Sequence, residues 1–294
     1  MTSALAIALA RVSQTSDRLS LLSVRAHQNP YTLVDWPAAV DPEQDWFSSP
    51  EYVSLHGTPM WADLDEPARR RVAFHEAAGF YSLNIHGEKA LIQGLAARLY
   101  RSDLAGSAGY LHHFLDEENK HSVYFGGFCT RYAQVYRSRQ PSFATDRPRD
   151  VDDLLFFAKT LIFEEIVDHY NQVQARDERL HPLARFINDS HHRDEARHLV
   201  FGRRLVTALW QAKEWDPPTA AEIRDDLGRF MTATWRQYYH PDVYAAAELD
   251  DPYELAETAW SAPGQQAHRR RVSSDCLQFL ATAGVLTEEP ADAF

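Results

Sequence analysis

The chain has 294 residues, is 45% hydrophobic, and carries a formal net charge of −12 with a pI near 5.6. That length suffices for one large globular domain, and the acidity with no Lys/Arg block excludes a nucleic-acid footprint. Two cysteines, Cys129 and Cys276, are too few for a disulfide framework or a thiolate metal site, and the longest apolar run, Ala4 to Ala10, is too short to span a bilayer and has no basic stretch before it. A soluble, cytoplasmic protein with no membrane or nucleic-acid partner is expected.

Glycines are few and alternating β-branched runs scarce, whereas helical periodicity recurs along the chain. The first helix is expected over Ser3–Val24, followed by a connector rich in Pro and Trp whose aromatic residues read as packing groups. A second begins at Asp65-Glu66-Pro67, an acidic start with an early proline, and runs to about Arg101. The third covers Tyr110–Arg137 and is broken by the segment from Ser138 to Asp150. The fourth spans Asp152–Gln174 and the fifth Leu183–Lys213, with Pro182 at its first turn. Two weaker helical stretches, Ala220–Tyr239 and Arg269–Gly284, are separated by a Pro-rich segment. Short connections pair the second helix with the third and the fourth with the fifth. The fold expected is all-α: one domain over 1–294, a ferritin-like four-helix bundle at about 66–213 with additional N- and C-terminal helices, the latter in an extension over 214–294.

Charged residues interrupt the apolar stripes of all four core helices. At about 100° per residue, His191, Glu195 and His198 share the stripe that holds Ile187, Phe201 and Leu205, while His192 points elsewhere. Glu118 and His121 lie in the stripe running from Leu111 through Phe114, Phe125, Phe128 and Tyr132 to Val135. Glu88 lies in the stripe Tyr81, Ile85, Ile92, Leu95, Leu99. Glu164 and Asp168 lie in that of Phe157 and Leu161, with Glu165 a neighbour able to face the same way. Counted from the turns, these carboxylates and imidazoles reach one level of the bundle, and Glu76 falls about 18 Å away at the helical rise.

Buried ionisable groups are costly unless paired or bound to metal. Two Glu-x-x-His motifs, plus a Glu from each remaining helix, form the carboxylate-bridged dinuclear pattern of such bundles. Oxygen and imidazole donors suit two Fe ions, with Mn/Fe also admitted. Glu117 and Asp194 each precede a motif Glu, and metal-bound histidines donate their outer N–H to such acids; Arg197 stands beside them. His75 and Glu76 read as structural, and His86, His112, His113 and His192 as surface or local hydrogen-bonding residues. The stripe favours Glu164 over Glu165, although spacing alone closes neither that choice nor the one between Glu88 and Glu76.

Asp194-Glu195-Ala196-Arg197-His198, with His191 four residues before the Glu, resembles the dinuclear non-haem iron N-oxygenases, the family of the aureothin-type p-aminobenzoate and chloramphenicol arylamine N-oxygenases. The likeness covers roughly Glu76 to Arg204, and more loosely the tail from Arg269 to Leu286. The intervals from Glu88 to Glu118 and from Glu118 to Glu164 are shorter than in those enzymes. The resemblance implies metal ligands Glu88, Glu118, His121, Glu164, His191, Glu195 and His198. The family's spacing of 27 residues before the extra histidine falls on Glu164. It further implies an O2-dependent monooxygenase, biosynthetic in the family's manner of secondary metabolism, taking a small-molecule amine to the hydroxylamine or on to nitroso and nitro levels, and a homodimer. No flavin or nicotinamide motif is present in the sequence, so an external electron donor such as a ferredoxin-type reductant is expected. The competing readings are a dinuclear-iron C–H hydroxylase or desaturase and a ferritin-like iron- or peroxide-handling protein.

Overall fold

The computed structural model describes residues 3–138 and 142–287. Four long helices form the centre: α4 (Glu66–Ala96), α5 (Ala108–Tyr132), α6 (Arg149–Arg176) and α7 (Pro182–Gln211). Helix α4 packs along α5, and α6 along α7; the two pairs close through α4–α6 and α5–α7 contacts into a four-helix bundle. α1 (Ser3–Ala26) lies over α5 and α7, while α8 (Pro217–Arg236) and α11 (Pro263–Thr282) cover α6. The described residues contain no strand, only an isolated bridge between Trp46 and Leu180. None of the described helices is long and apolar enough to cross a membrane.

The helix starts follow their local chemistry. Asp65 accepts a hydrogen bond from the Ala68 amide, and Pro67 sits in the first turn of α4. His181 Nδ1 accepts from the Leu183 amide ahead of Pro182. The helix ends are less legible. α4 stops at Ala96 rather than Arg101, because Arg98 and Arg101 turn onto Asp152 and Asp153 of α6. α5 stops at Tyr132 rather than Arg137. The chain leaves the helix there to cross α4, where the Tyr136 amide donates to Ser82 Oγ, so Val135 is exposed rather than part of the stripe. The break expected from Ser138 to Asp150 includes 139–141, which lie outside the described residues, as do 288–294 of the C-terminal extension.

Prolines that read as breakers also start helices. α2 (Pro30–Leu33) and α3 (Pro59–Asp63) lie in the N-terminal connector; α9 (Pro241–Ala246) and α10 (Pro252–Ser261) fill the gap after α8. α2, α3 and α9 have six residues or fewer, too short to show a periodic stripe, so periodicity misses them.

On α4 the buried face differs from the expected one. Ile85 and Ile92 are only half-buried, whereas Gly87 and Gly94 face α6 at close approach. A Cβ at Gly94 would lie 2.0 Å from Phe156 Cε2, and one at Gly87 2.3 Å from Phe163 Cζ. Gly94→Ala is therefore expected to lose about 1–3 kcal/mol by overpacking. Gly126→Ala, where a Cβ meets nothing within 4 Å, is expected to be neutral or stabilising, since alanine favours helix. Thermal unfolding of the two variants checks this; equal midpoints would contradict it.

The core is apolar at both ends of the bundle. Leu91, Leu95, Leu111, Phe114, Phe157, Leu161, Phe201 and Leu205 pack at one end. Phe74, Ala77, Tyr81, Phe125, Phe128, Ala184 and Ile187 pack towards the other. Between them lies a layer of buried acids and imidazoles.

Candidate metal centre

That layer contains the residues singled out by spacing. Glu88, His121 and His191 bring one ligand atom each within 4.8 Å of one another; so do Glu118, Glu195 and His198. All six are at most 2% exposed. Two carboxylates straddle the groups. Glu195 Oε1 lies 3.1 Å from His191 Nε2 and 3.5 Å from His121 Nδ1, while its Oε2 lies 3.2 Å from His198 Nδ1. Glu118 Oε2 is 3.3 Å from His121 Nδ1 and its Oε1 is 3.0 Å from His198 Nδ1.

The outer faces of the two motif histidines are held by acids from the opposite helix. His121 Nε2 faces Asp194 Oδ2 at 3.2 Å, and His198 Nε2 faces Glu117 Oε2 at 2.9 Å. Both imidazoles thereby turn Nδ1 inward, the arrangement that fixes ring orientation around a metal. Arg197 ties the two acids together: Nη2 donates to Glu117 Oε1 and Asp194 Oδ1, both at 2.5 Å, and Nε donates to Ser23 Oγ of α1 at 3.0 Å. Phe114 stacks on His198 at 3.9 Å and Phe125 lies 5.0 Å from His191, walling the layer with apolar rings.

The structure separates the alternatives. Glu165 pairs with Arg203 at the rim, whereas Glu164 is buried, and its Oε1 has no hydrogen-bond partner. Glu164 is not in either three-residue group, but Glu195, His198 and Glu118 act on it electrostatically. Glu88 is in the layer; Glu76 is well away from it, bonded to Ser54. Asp168 is drawn off by His192 at 2.6 Å.

Two contributors escaped the sequence reading. Lys120, buried on α5, ion-pairs with Asp194. Asn171 Nδ2 lies against His191 Nδ1, and its own Oδ1 has no partner. A turned amide would let Oδ1 accept from Nδ1–H and leave the Nε2 lone pair free towards the carboxylates. The signal for Asn171 was its seven-residue interval from Glu164, which repeats one helical face. For Lys120 there was none, because lysine between two motif residues reads as solvated.

The donor set fits a metal pair. Buried polar atoms normally find partners, yet His191 Nε2, Glu118 Oε1 and Glu164 Oε1 have none in hydrogen-bond geometry. The close N···O approaches among these groups are of the kind a shared cation reconciles. Without one, protons must serve. Burial opposes charge on His121, but Asp194, Glu118 and Glu195 overcome it and raise the imidazole to about 9. Burial likewise opposes ionisation of Glu118, yet His198 and His121 hold it down to about 2. Glu164 goes the other way: burial and the Glu195 charge push it well up. Metal binding needs ionised carboxylates and neutral imidazoles, so loading would displace the shared protons. Carboxylate and imidazole donors without sulfur suit iron or manganese. Cys129 and Cys276 are buried elsewhere, Cys129 beside Ser82.

Fold and site together define a helical-bundle protein whose Glu/His layer fits a dinuclear metal centre. The family profile of the P-aminobenzoate N-oxygenase AurF matches residues 10–284. The chain belongs to that family. Uncharacterised proteins Rv0885 of Mycobacterium tuberculosis (strain H37Rv) and Mb0909 of Mycobacterium bovis are 28% identical to it over 201 residues, covering 64% of this chain and 58% of theirs. The match thus spans little more than half the length of those relatives. Among solved structures, an R2-like ligand-binding oxidase mutant with an aerobically reconstituted Mn/Fe cofactor is 17% identical, with a TM-score of 0.48 over 92% of this chain and 93% of its own. The anaerobically reconstituted form is 16% identical, with a TM-score of 0.44 over 87% and 92%.

Proposed function

We propose that the protein is an O2-dependent dinuclear-iron oxygenase that oxidises the nitrogen of a small-molecule amine. The observation that carries the reading is the pair of buried Glu/His groups with a third histidine, His191, whose Nε2 has no partner. Glu88, Glu118, His121, Glu164, His191, Glu195 and His198 would hold the ions, and membership of an N-oxygenase family favours nitrogen over carbon as the site of attack. When bound, the metal pair supplies the redox capacity and Lewis acidity that the side chains lack.

The chain's own residues do the rest. Asp194 and Glu117 fix the imidazoles and keep their inner nitrogens aimed at the layer. Arg197 and Lys120 balance the charge of those acids, and Arg197 anchors them to α1. Phe114 and Phe125 keep bulk water from His198 and His191, which strengthens every electrostatic interaction inside. His191 adds a neutral donor where a site with two histidines would admit solvent. Reducing equivalents come from an external, ferredoxin-type protein, and a homodimer is the assembly this reading carries.

The test is product analysis of the iron-loaded, chemically reduced protein with labelled O2 and a panel of amines that includes p-aminobenzoate. Label on nitrogen, in hydroxylamine, nitroso or nitro products, is expected. Label on carbon alone would make the protein a C–H hydroxylase. A large cage that loads many irons per chain without oxidising amines would make it a storage protein.

A further inference from the structure

α1 turns a basic edge to solvent on a chain whose net charge is −12. Arg11, Arg18 and Arg25 stand seven residues apart, so they share one edge of the helix, within about 40°. All three are exposed, as is Arg204 of α7, and among the described residues none of the four forms an ion pair. Asp17, the one acid of α1, lies about 100° round the helix from Arg18. Arg11 and Arg204 both line a groove of about 570 Å³, together with Val12, Ala208 and Phe279 of α11. Arg203 lines it too, but Glu165 already holds that guanidinium. Leu22 and Val200 add apolar surface to the same edge, 48% and 45% exposed. Apolar residues rimmed by polar ones are the make-up of a protein interface.

The seam of α1 and α7 lies over the residues that hold the metal layer. Ser23, two residues before Arg25, accepts from Arg197 Nε at 3.0 Å. Arg197 grips Glu117 and Asp194, and those acids meet His198 and His121. Two side chains, an arginine and an acid, therefore separate α1 from each imidazole. Val200 lies two residues after His198 and Arg204 six, rises of about 3 and 9 Å along α7. Electron transfer falls steeply with distance, so a donor must dock where the layer is near the surface. A cleft between α1 and α5 also reaches Glu117, but Asp116 lines it as well, and the two carboxylates would repel an acidic partner.

We propose that this arginine-bearing face of α1 and α7 is where the external reductant docks, and that the reductant is a small acidic redox protein. The inference rests on the oxygenase reading, in which the metal pair takes its electrons from outside. From Arg11 to Arg25 the stripe runs about 21 Å, a span that suits the contacts of under about 1,200 Å² made by electron-transfer partners. The arginines steer and orient the partner, and the apolar residues beside them seat it. Two reduced donors each deliver one electron to the metal pair and leave oxidised. A protein fits better than an anionic lipid surface, because the face overlies a buried layer that needs electrons and a headgroup has none to give.

The test measures association of an acidic plant-type [2Fe–2S] ferredoxin with the metal-loaded protein by surface plasmon resonance at low ionic strength. The triple variant Arg11→Glu, Arg18→Glu, Arg204→Glu is expected to associate at least ~10-fold more slowly. Binding to the unmodified protein should weaken steeply as salt rises. A control triple, Arg149→Glu, Arg176→Glu, Arg229→Glu, makes the same change in net charge at exposed positions elsewhere and should keep most of the association rate. Equal losses in the two triples, no loss in the first, or no binding of ferredoxin to the unmodified protein overturns the proposal. So does capture of the protein by phosphatidylglycerol vesicles in place of ferredoxin. Should the first triple not fold, glutamine at the same three positions is read against glutamine at the control positions. Amine oxidation driven by a chemical reductant, with docking indifferent to the three arginines, would remove the docking face alone. Docking that depends on them, without oxidation of any amine nitrogen, would sink the oxygenase reading and leave the face standing.

Discussion

Replacing Glu195 with alanine is expected to take the protein from two bound metal ions to fewer than one, with activity falling beyond the roughly 10–100-fold that loss of an outer hydrogen-bond partner brings. The reason is its position. One of its oxygens faces His191 and His121, and the other faces His198, so a single truncation opens both halves of the layer. Glu118→Ala is expected to behave alike, because its two oxygens divide between His121 and His198 in the same way. Alanine is a strong helix former, so α7 should stay intact. Glu165→Ala is the control: its carboxylate pairs with Arg203 at the rim, and both metals should remain. Metal analysis of the three variants, with circular dichroism to confirm the helices, settles the matter. A Glu195→Ala protein that still holds two ions would remove the bridging role.

Arg197→Met should be the most destabilising change near the site that touches no proposed ligand. The guanidinium meets Glu117 and Asp194 at once and is 8% exposed. Without it, two buried carboxylates lose their shared cation. Breaking a buried ion pair by removing one partner costs about 3–5 kcal/mol. Lys120 still offsets Asp194 in part, whereas Glu117 keeps only His198. Arg197→Lys should recover little, because an ammonium cannot reproduce the planar fork that serves two acids and Ser23 together. Thermal unfolding of metal-free protein at a fixed scan rate measures the loss. A shift no larger than that of a surface arginine such as Arg229 would show that the acids are stable without their bridge.

The bundle and its polar layer were legible because both rest on period. A buried helix must show an apolar stripe, and an acid or imidazole inside that stripe stands out. The apolar stripe favoured Glu164 over Glu165 and the resemblance supported that choice; in the structure Glu165 is paired with Arg203. What stayed hidden depends on partners distant in sequence. Nothing near Lys120 announces Asp194, and nothing near Glu76 announces Ser54. Helix ends were misplaced where tertiary ion pairs or a crossing strand of chain, rather than local propensity, stop the helix, as at Ala96 and Tyr132. The family profile places the chain in the family of the P-aminobenzoate N-oxygenase AurF.

The exchange of acids between α5 and α7 has one more consequence. Glu117 serves the histidine of α7, and Asp194 serves the histidine of α5. Neither helix can complete its own imidazole, so the layer reads the alignment of the two like a vernier. A one-residue slip of either helix turns its side chains by about 100° and undoes both pairings together. Tight metal uptake would then report that these two helices have met in correct alignment, and a chain trapped with them misaligned would betray itself by remaining empty.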